Sequence, residues 1–148
     1  MKDSSGDWHN TKTFLDAFSK SGFDVFVGSE SFLLANMRNG GVGTISATAN
    51  VNPAAICELY VACAEQSKFE NRESKLEALQ ERLNVVRQVF SSRKFPSMIA
   101  ALKQTIAIYA DDPAWRTVRP PLVELTPDQA NLLAVELETI KFAMRLKQ

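Results

Sequence analysis

Lys2 stands directly before a small, polar, glycine-ended turn, Asp3-Ser4-Ser5-Gly6. An amine nucleophile acts in its neutral form, so its ammonium must be desolvated to lose a proton near neutral pH, and a turn of small residues leaves room for a substrate beside it. A second stretch, Gly43-Thr44-Ile45-Ser46-Ala47-Thr48-Ala49-Asn50, follows about forty residues later. Taken alone, a Lys-Asp pair near a terminus is normally solvated, so the chemistry rests on the surrounding motifs. If Lys2 is the nucleophile, the chain begins in the middle of an active site.

Other reactive types carry less. Cys57 and Cys63 are six apart, on different faces of a helix, with no CxxC pattern or nearby histidine. They read as reduced core thiols, against a disulfide or redox role. The sole histidine, His9, has no ligand set around it and reads as a surface or loop residue. Gly40, Gly41 and Gly43 suggest a phosphate loop, but they precede a strand-like run, whereas a dinucleotide fingerprint follows one. Arg119-Pro120-Pro121 is either an ordered connection between helices or a polyproline ligand. Glu30 is either a helix-start carboxylate or a substrate contact.

The 148 residues suffice for one domain with a core. Lys+Arg and Asp+Glu balance at 17 each, which gives no electrostatic case for nucleic acid or an anionic membrane. No apolar run approaches the ~18 residues of a membrane span, and Met1-Lys2-Asp3-Ser4-Ser5 has no hydrophobic signal region. The expectation is a cytoplasmic protein without metal or cofactor.

The elements that must position Lys2 follow from periodicity. Asn10 to Ser21 is helical, with Phe14, Leu15 and Phe18 at helical spacing and Gly22 as its C-terminal cap. Phe23 to Val27 reads as a buried strand ending at Gly28, Glu30 to Arg38 as a helix stopped by Asn39-Gly40-Gly41, and Thr44 to Thr48 as the next strand. This βαβαβ rhythm belongs to a parallel sheet. From Asn52-Pro53 onward the pattern is helical. Ile56, Leu59, Tyr60 and Cys63 mark one face, and Leu76, Leu79, Leu83, Val86 and Phe90 a second. A third helix spans Pro96 to Tyr109, ended by Asp111-Asp112-Pro113. A capping box at Thr126-Pro127-Asp128-Gln129 opens a last helix with Leu133, Leu137, Ile140 and Met144 on one side.

Together, Lys2-Asp3-Ser4-Ser5-Gly6-Asp7, Gly28-Ser29-Glu30, Gly40 to Asn50, Phe95-Pro96, Lys103 and Arg119-Pro120-Pro121-Leu122 resemble the carboxy-terminal half of the dihydrodipicolinate synthase/N-acetylneuraminate lyase family. That family consists of (β/α)8 barrels with a small helical domain, working as pyruvate-dependent class I aldolases, lyases and dehydratases. The resemblance implies an α/β chain, mostly helical by residue count. Residues 1–52 would form a partial TIM barrel (strands six to eight), and 53–148 the last barrel helix and a C-terminal helical bundle. It implies that Lys2 forms a Schiff base with pyruvate or another 2-oxo acid. Gly28 would line the pyruvate pocket, Ile45 on strand eight would turn its backbone carbonyl to the pyruvate, and Ser29 and Glu30 would read the distal part of the substrate. All lie at or near C-terminal strand ends, where barrel enzymes place their chemistry. A homo-oligomer is implied, tetrameric in full-length members.

The family's carboxylate-binding threonine/serine pair and its proton-relaying tyrosine belong to earlier strands. Tyr60 and Tyr109 lie in helical segments and do not take that role. The expectation is a truncated reading frame whose isolated product is inactive. The alternative is a non-catalytic scaffold or assembly module that keeps only the helical interaction surface. Which 2-oxo acid is used is not written in these residues.

Overall fold

The computed structural model describes residues 1–65 and 71–144. Among them run β1 (Lys2–Asp3), α1 (Trp8–Phe18), β2 (Phe26–Val27), α2 (Leu33–Arg38), β3 (Gly43–Thr44), α3 (Pro53–Ala64), α4 (Arg72–Ser91), α5 (Met98–Ala110) and α6 (Pro127–Thr139). The chain divides into two compact units, Met1–Ala49 with Pro53–Asn84, and Asn50–Asn52 with Val85–Gln148.

In the first unit the strands form one parallel sheet, ordered β1-β2-β3, with α1 and α2 as the crossovers that parallel pairing requires. Lys2 pairs with Phe26 and Asp3 with Val27, and these pair in turn with Gly43 and Thr44. The strands are shorter than the β-like runs. Phe23, expected in the strand, is 48% exposed and packs its ring on Phe18 at 5.8 Å. The expected Thr44–Thr48 strand stops at Thr44, and Ala47–Asn50 winds into a 3₁₀ turn. The hydroxyls of Ser46 and Thr48 bond each other at 2.9 Å, and local side-chain bonding of this kind competes with a strand ladder.

Capping sets the helix limits. Asp7 accepts from the His9 N–H at 2.9 Å, so α1 starts two residues before Asn10. It ends through a 3₁₀ turn at Ser19–Ser21 and Gly22, whose φ of 75° suits a residue without Cβ. The expected Glu30–Arg38 helix divides into a 3₁₀ turn, Glu30–Phe32, and α2. Leu33, Leu34, Ile56, Leu59, Leu76, Leu79 and Leu83 form the core that joins α2, α3 and α4. Each contributes about 1.5–3 kcal/mol through burial. Tyr60 is 43% exposed, Cys57 is exposed and Cys63 half-buried, both thiols being free. The core reading therefore fails for Cys57: it follows buried Ile56 by one residue, about 100° further around the helix. Asn36, fully buried, donates to the carbonyls of Val25 at 3.1 Å and Gly43 at 2.9 Å, tying β2 to β3.

In the second unit, Ser97 caps α5 by accepting from the Ala100 N–H at 3.0 Å, and Asp111 ends it at a φ of 50°. The Thr126–Gln129 capping box is present at the start of α6. This helix stops at Thr139, short of the expected Ile140 and Met144. Lys141 adopts a φ of 52°, and the Phe142 N–H returns to the Leu137 carbonyl at 2.8 Å. Phe142 then sets its ring edge-on to Tyr109 at 5.8 Å, and the Tyr109 hydroxyl donates to the Phe142 carbonyl at 2.6 Å. Arg119–Leu122 forms a turn closed by the Leu122 N–H on the Arg119 carbonyl at 3.0 Å, which is not a polyproline run. Among the described residues, no helix is long and apolar enough to cross a membrane.

Candidate active site

The two residues of β1 point opposite ways. Asp3 is 8% exposed and accepts from Thr11 Oγ1 at 2.6 Å and Asn10 Nδ2 at 3.1 Å, both on α1. It also accepts from the Ser5 N–H and the Ser5 hydroxyl, each at 3.0 Å. Burial pushes its carboxyl upward, but these hydrogen bonds, Thr11 first, outweigh it and hold the group below the ordinary value. Successive strand residues face opposite sides of a sheet, so Lys2, which is exposed, stands on the face turned away from α1.

Register carries that face across the sheet. Phe26 is the partner of Lys2, and Gly43 is in turn the partner of Phe26. Gly28 and Ile45 lie two residues further along each chain and return to the same side. The ladder reaches them: the Gly28 N–H donates to the Asp3 carbonyl at 2.7 Å, and the Ile45 N–H to the Val27 carbonyl at 2.9 Å. Lys2, Gly28 and Ile45 therefore share one face, and Val25, Val27 and Asp3 lie on the buried one. Ile45 lies just past β3, not within it, and is 49% exposed.

Gly28 is constrained from within the chain. A Cβ there would lie 2.8 Å from the Asp3 carbonyl oxygen and 3.0 Å from the Ser4 Cα. Ser29 and Glu30 turn inward, at 7% and 1% exposure. Ser29 accepts from the Ser31 N–H at 3.3 Å, and the Glu30 carboxylate accepts from the Ser46 hydroxyl. Neither side chain joins the exposed face of Lys2.

Asp3 belongs to the Lys2 motif, but its residue type and position alone do not single it out. The available signal was Asn10 and Thr11, two hydrogen-bond donors one helical start downstream of a strand-end carboxylate. A groove of about 340 Å³ lies against α3 and α4, lined by Cys57, Glu58, Val61, Ala62, Glu65 and Lys75. It contains none of the five candidate residues. Among the described residues, no group of three His, Cys, Asp or Glu side chains could hold a metal ion.

The model of the dihydrodipicolinate synthetase family matches residues 1–140. The chain is 33% identical over 130 residues to a 4-hydroxy-tetrahydrodipicolinate synthase of Pelagibacter ubique, covering 85% of this chain and 40% of that protein. It is 30% identical over 140 residues to the same-named protein of Methanopyrus kandleri, covering 95% and 43%. In structure it is similar to YagE of E. coli K12, a prophage protein of the dihydrodipicolinic acid synthase family solved in complex with pyruvate. That match has a TM-score of 0.80 at 20% identity, over 96% of this chain and 46% of that one, and it shows a shared fold. The chain thus spans about two fifths of the length of the curated relatives it matches. With the family model covering all three strands and all six α-helices of the described residues, the chain belongs to the dihydrodipicolinate synthetase family.

Proposed function

We propose that this chain supplies the Schiff-base part of a pyruvate-dependent lyase of the class I aldolase type. Residues 1–52 would contribute barrel strands six to eight, and the remainder the last barrel helix and a C-terminal helical domain. The observation that carries this reading is the common sheet face of Lys2, Gly28 and Ile45, opposite the face held by α1. In the proposed reaction the neutral Lys2 amine adds to the keto carbon of pyruvate or another 2-oxo acid. The keto oxygen leaves as water, and a C=N bond forms. The iminium accepts the electron pair released at the neighbouring carbon when a bond there breaks, and returns it when a bond forms. Gly28 leaves space beside that carbon, and the Ile45 carbonyl faces the bound acid.

The test pairs the chain with the portion of the Pelagibacter ubique relative that the match leaves out, supplied as a second polypeptide. Pyruvate and borohydride are added, and intact mass and peptide mapping follow. The expected result is one reduced pyruvate adduct on Lys2 in the pair, and none with Lys2→Arg. Arginine keeps the charge, but its pKa above ~12 denies it a free amine. An adduct on another lysine, or an undiminished one in Lys2→Arg, overturns the assignment. A paired, folded complex without any adduct favours a non-catalytic module.

A further inference from the structure

Glu30 is among the largest fully buried side chains, at 1% exposure, yet it follows the strand end that carries Gly28. Its Oε2 accepts from the Ser46 hydroxyl, and Ser46 Oγ lies 2.9 Å from Thr48 Oγ1. Ser46 has one hydroxyl proton and gives it to Glu30, so Thr48 is the donor in the second bond. The backbone of Glu30 is fixed as well. Gln80 Nε2, from α4, donates to the Glu30 carbonyl at 3.0 Å, and Gln80 Oε1 accepts from the Leu34 N–H at 3.0 Å.

Ser46 directly follows Ile45. The Ile45 peptide is therefore held on one side by its N–H on the Val27 carbonyl at 2.9 Å, and on the other by the Ser46 side chain on Glu30. We infer that Glu30, acting through Ser46 and Thr48, is a positioning residue that fixes the Ile45 carbonyl on the Lys2 face, and that it does not touch substrate. This rests on the pyruvate reading for its consequence in binding, but the coupling from Glu30 to the Ile45–Thr48 segment stands on hydrogen bonds alone. Buried hydrogen bonds give such an anchor its stiffness, because breaking one removes a partner that water cannot replace.

The test has two arms. In the complemented pair, pyruvate is titrated against borohydride labelling of Lys2. Glu30→Gln and Ser46→Ala should raise the half-saturating concentration about tenfold, the scale of one buried hydrogen bond, with the limiting extent of labelling kept. Thr48→Val should raise it less, and Thr48→Ser should restore the wild-type value. Labelling with 2-oxobutyrate should shift by the same factor, because a residue acting through the backbone does not meet the distal atoms of the substrate. Wild-type half-saturation in Ser46→Ala overturns the inference. A Glu30→Gln shift confined to 2-oxobutyrate overturns it in favour of direct contact. In the second arm, hydrogen–deuterium exchange of the chain alone should quicken over residues 44–50 in Ser46→Ala and Thr48→Val, with residues 2–27 unchanged. Unchanged or uniformly faster exchange in both variants overturns the coupling. Faster local exchange with no wild-type labelling supports the coupling and removes only the pyruvate reading.

Discussion

The carboxylate of Asp3 and the hydroxyl of Thr11 meet at 2.6 Å, joining the first strand to the first helix on the face opposite Lys2. Thr11 is 2% exposed, so neither partner can turn to water if the other is removed. The bond therefore does two things at once. It closes the turn through Ser4 to Asp7, and it commits β1 to the rotation that leaves Lys2 on the open face.

Removing the Thr11 hydroxyl should show this directly. Thr11→Val keeps the branched shape but leaves a buried carboxylate short of one donor, at a cost of about 1.5–3 kcal/mol. Urea denaturation at neutral pH measures it, and a midpoint equal to wild type would refute the anchoring role.

The same carboxylate sets an acid limit. The Asp3 pKa is lowered in the folded chain from 3.8, although burial alone would raise it. A folded value below the unfolded one means that the stabilisation is fully present above the unfolded value and is lost as pH falls through the folded value. Stability should therefore fall from about pH 4 downward. Asp3→Asn should be less stable at pH 7 and show a flatter acid limb in melts between pH 7 and pH 2. An acid limb as steep as wild type would place the titrating group elsewhere.

Gly28 offers a third test, and a lesson about reading sequences. The family resemblance implies that a side chain at Gly28 would fill substrate space and leave the fold largely intact. The geometry adds a second constraint, because the added Cβ meets the Asp3 carbonyl oxygen at 2.8 Å, the acceptor of Gly28's own N–H. Gly28→Ala should then destabilise by about 1–3 kcal/mol through overpacking against backbone. Wild-type stability together with lost labelling would return Gly28 to a purely substrate-facing part.

Much of the framework was legible because caps and periodicity are local. Gly22, Thr126 with Gln129, and the leucine stripe of α4 each announce an element within a few residues. The limits that were misjudged depend on distant partners. The end of β3 at Thr44 reflects hydroxyl bonding that leads to Glu30, 16 residues before Ser46. The stop of α6 at Thr139 has no glycine to mark it, since Lys141 takes the left-handed conformation. In the candidate site, alternation along β1 and β3 anticipates that Lys2 and Ile45 share a face once the register is known. The inward turn of Glu30 is invisible until Ser46 and Gln80 are placed beside it.

The sheet itself makes the last prediction. Among the described residues it has three strands in the order β1-β2-β3, so β1 and β3 each have one side without a neighbouring strand. On the Lys2 face Ile45 is 49% exposed. Parallel sheets are normally covered on both faces, and unprotected edges pair with other chains. The strands are only two residues long, which limits such pairing to short contacts and favours association through the open face as well. The chain alone should therefore associate with rising concentration in sedimentation velocity runs. The complementing polypeptide should shift it to a discrete complex, and Ile45→Ser should weaken self-association by removing exposed apolar area. A chain that sediments as a monodisperse monomer across a hundredfold concentration range, and ignores the added polypeptide, would mean that the edges and the open face are protected by contacts of its own.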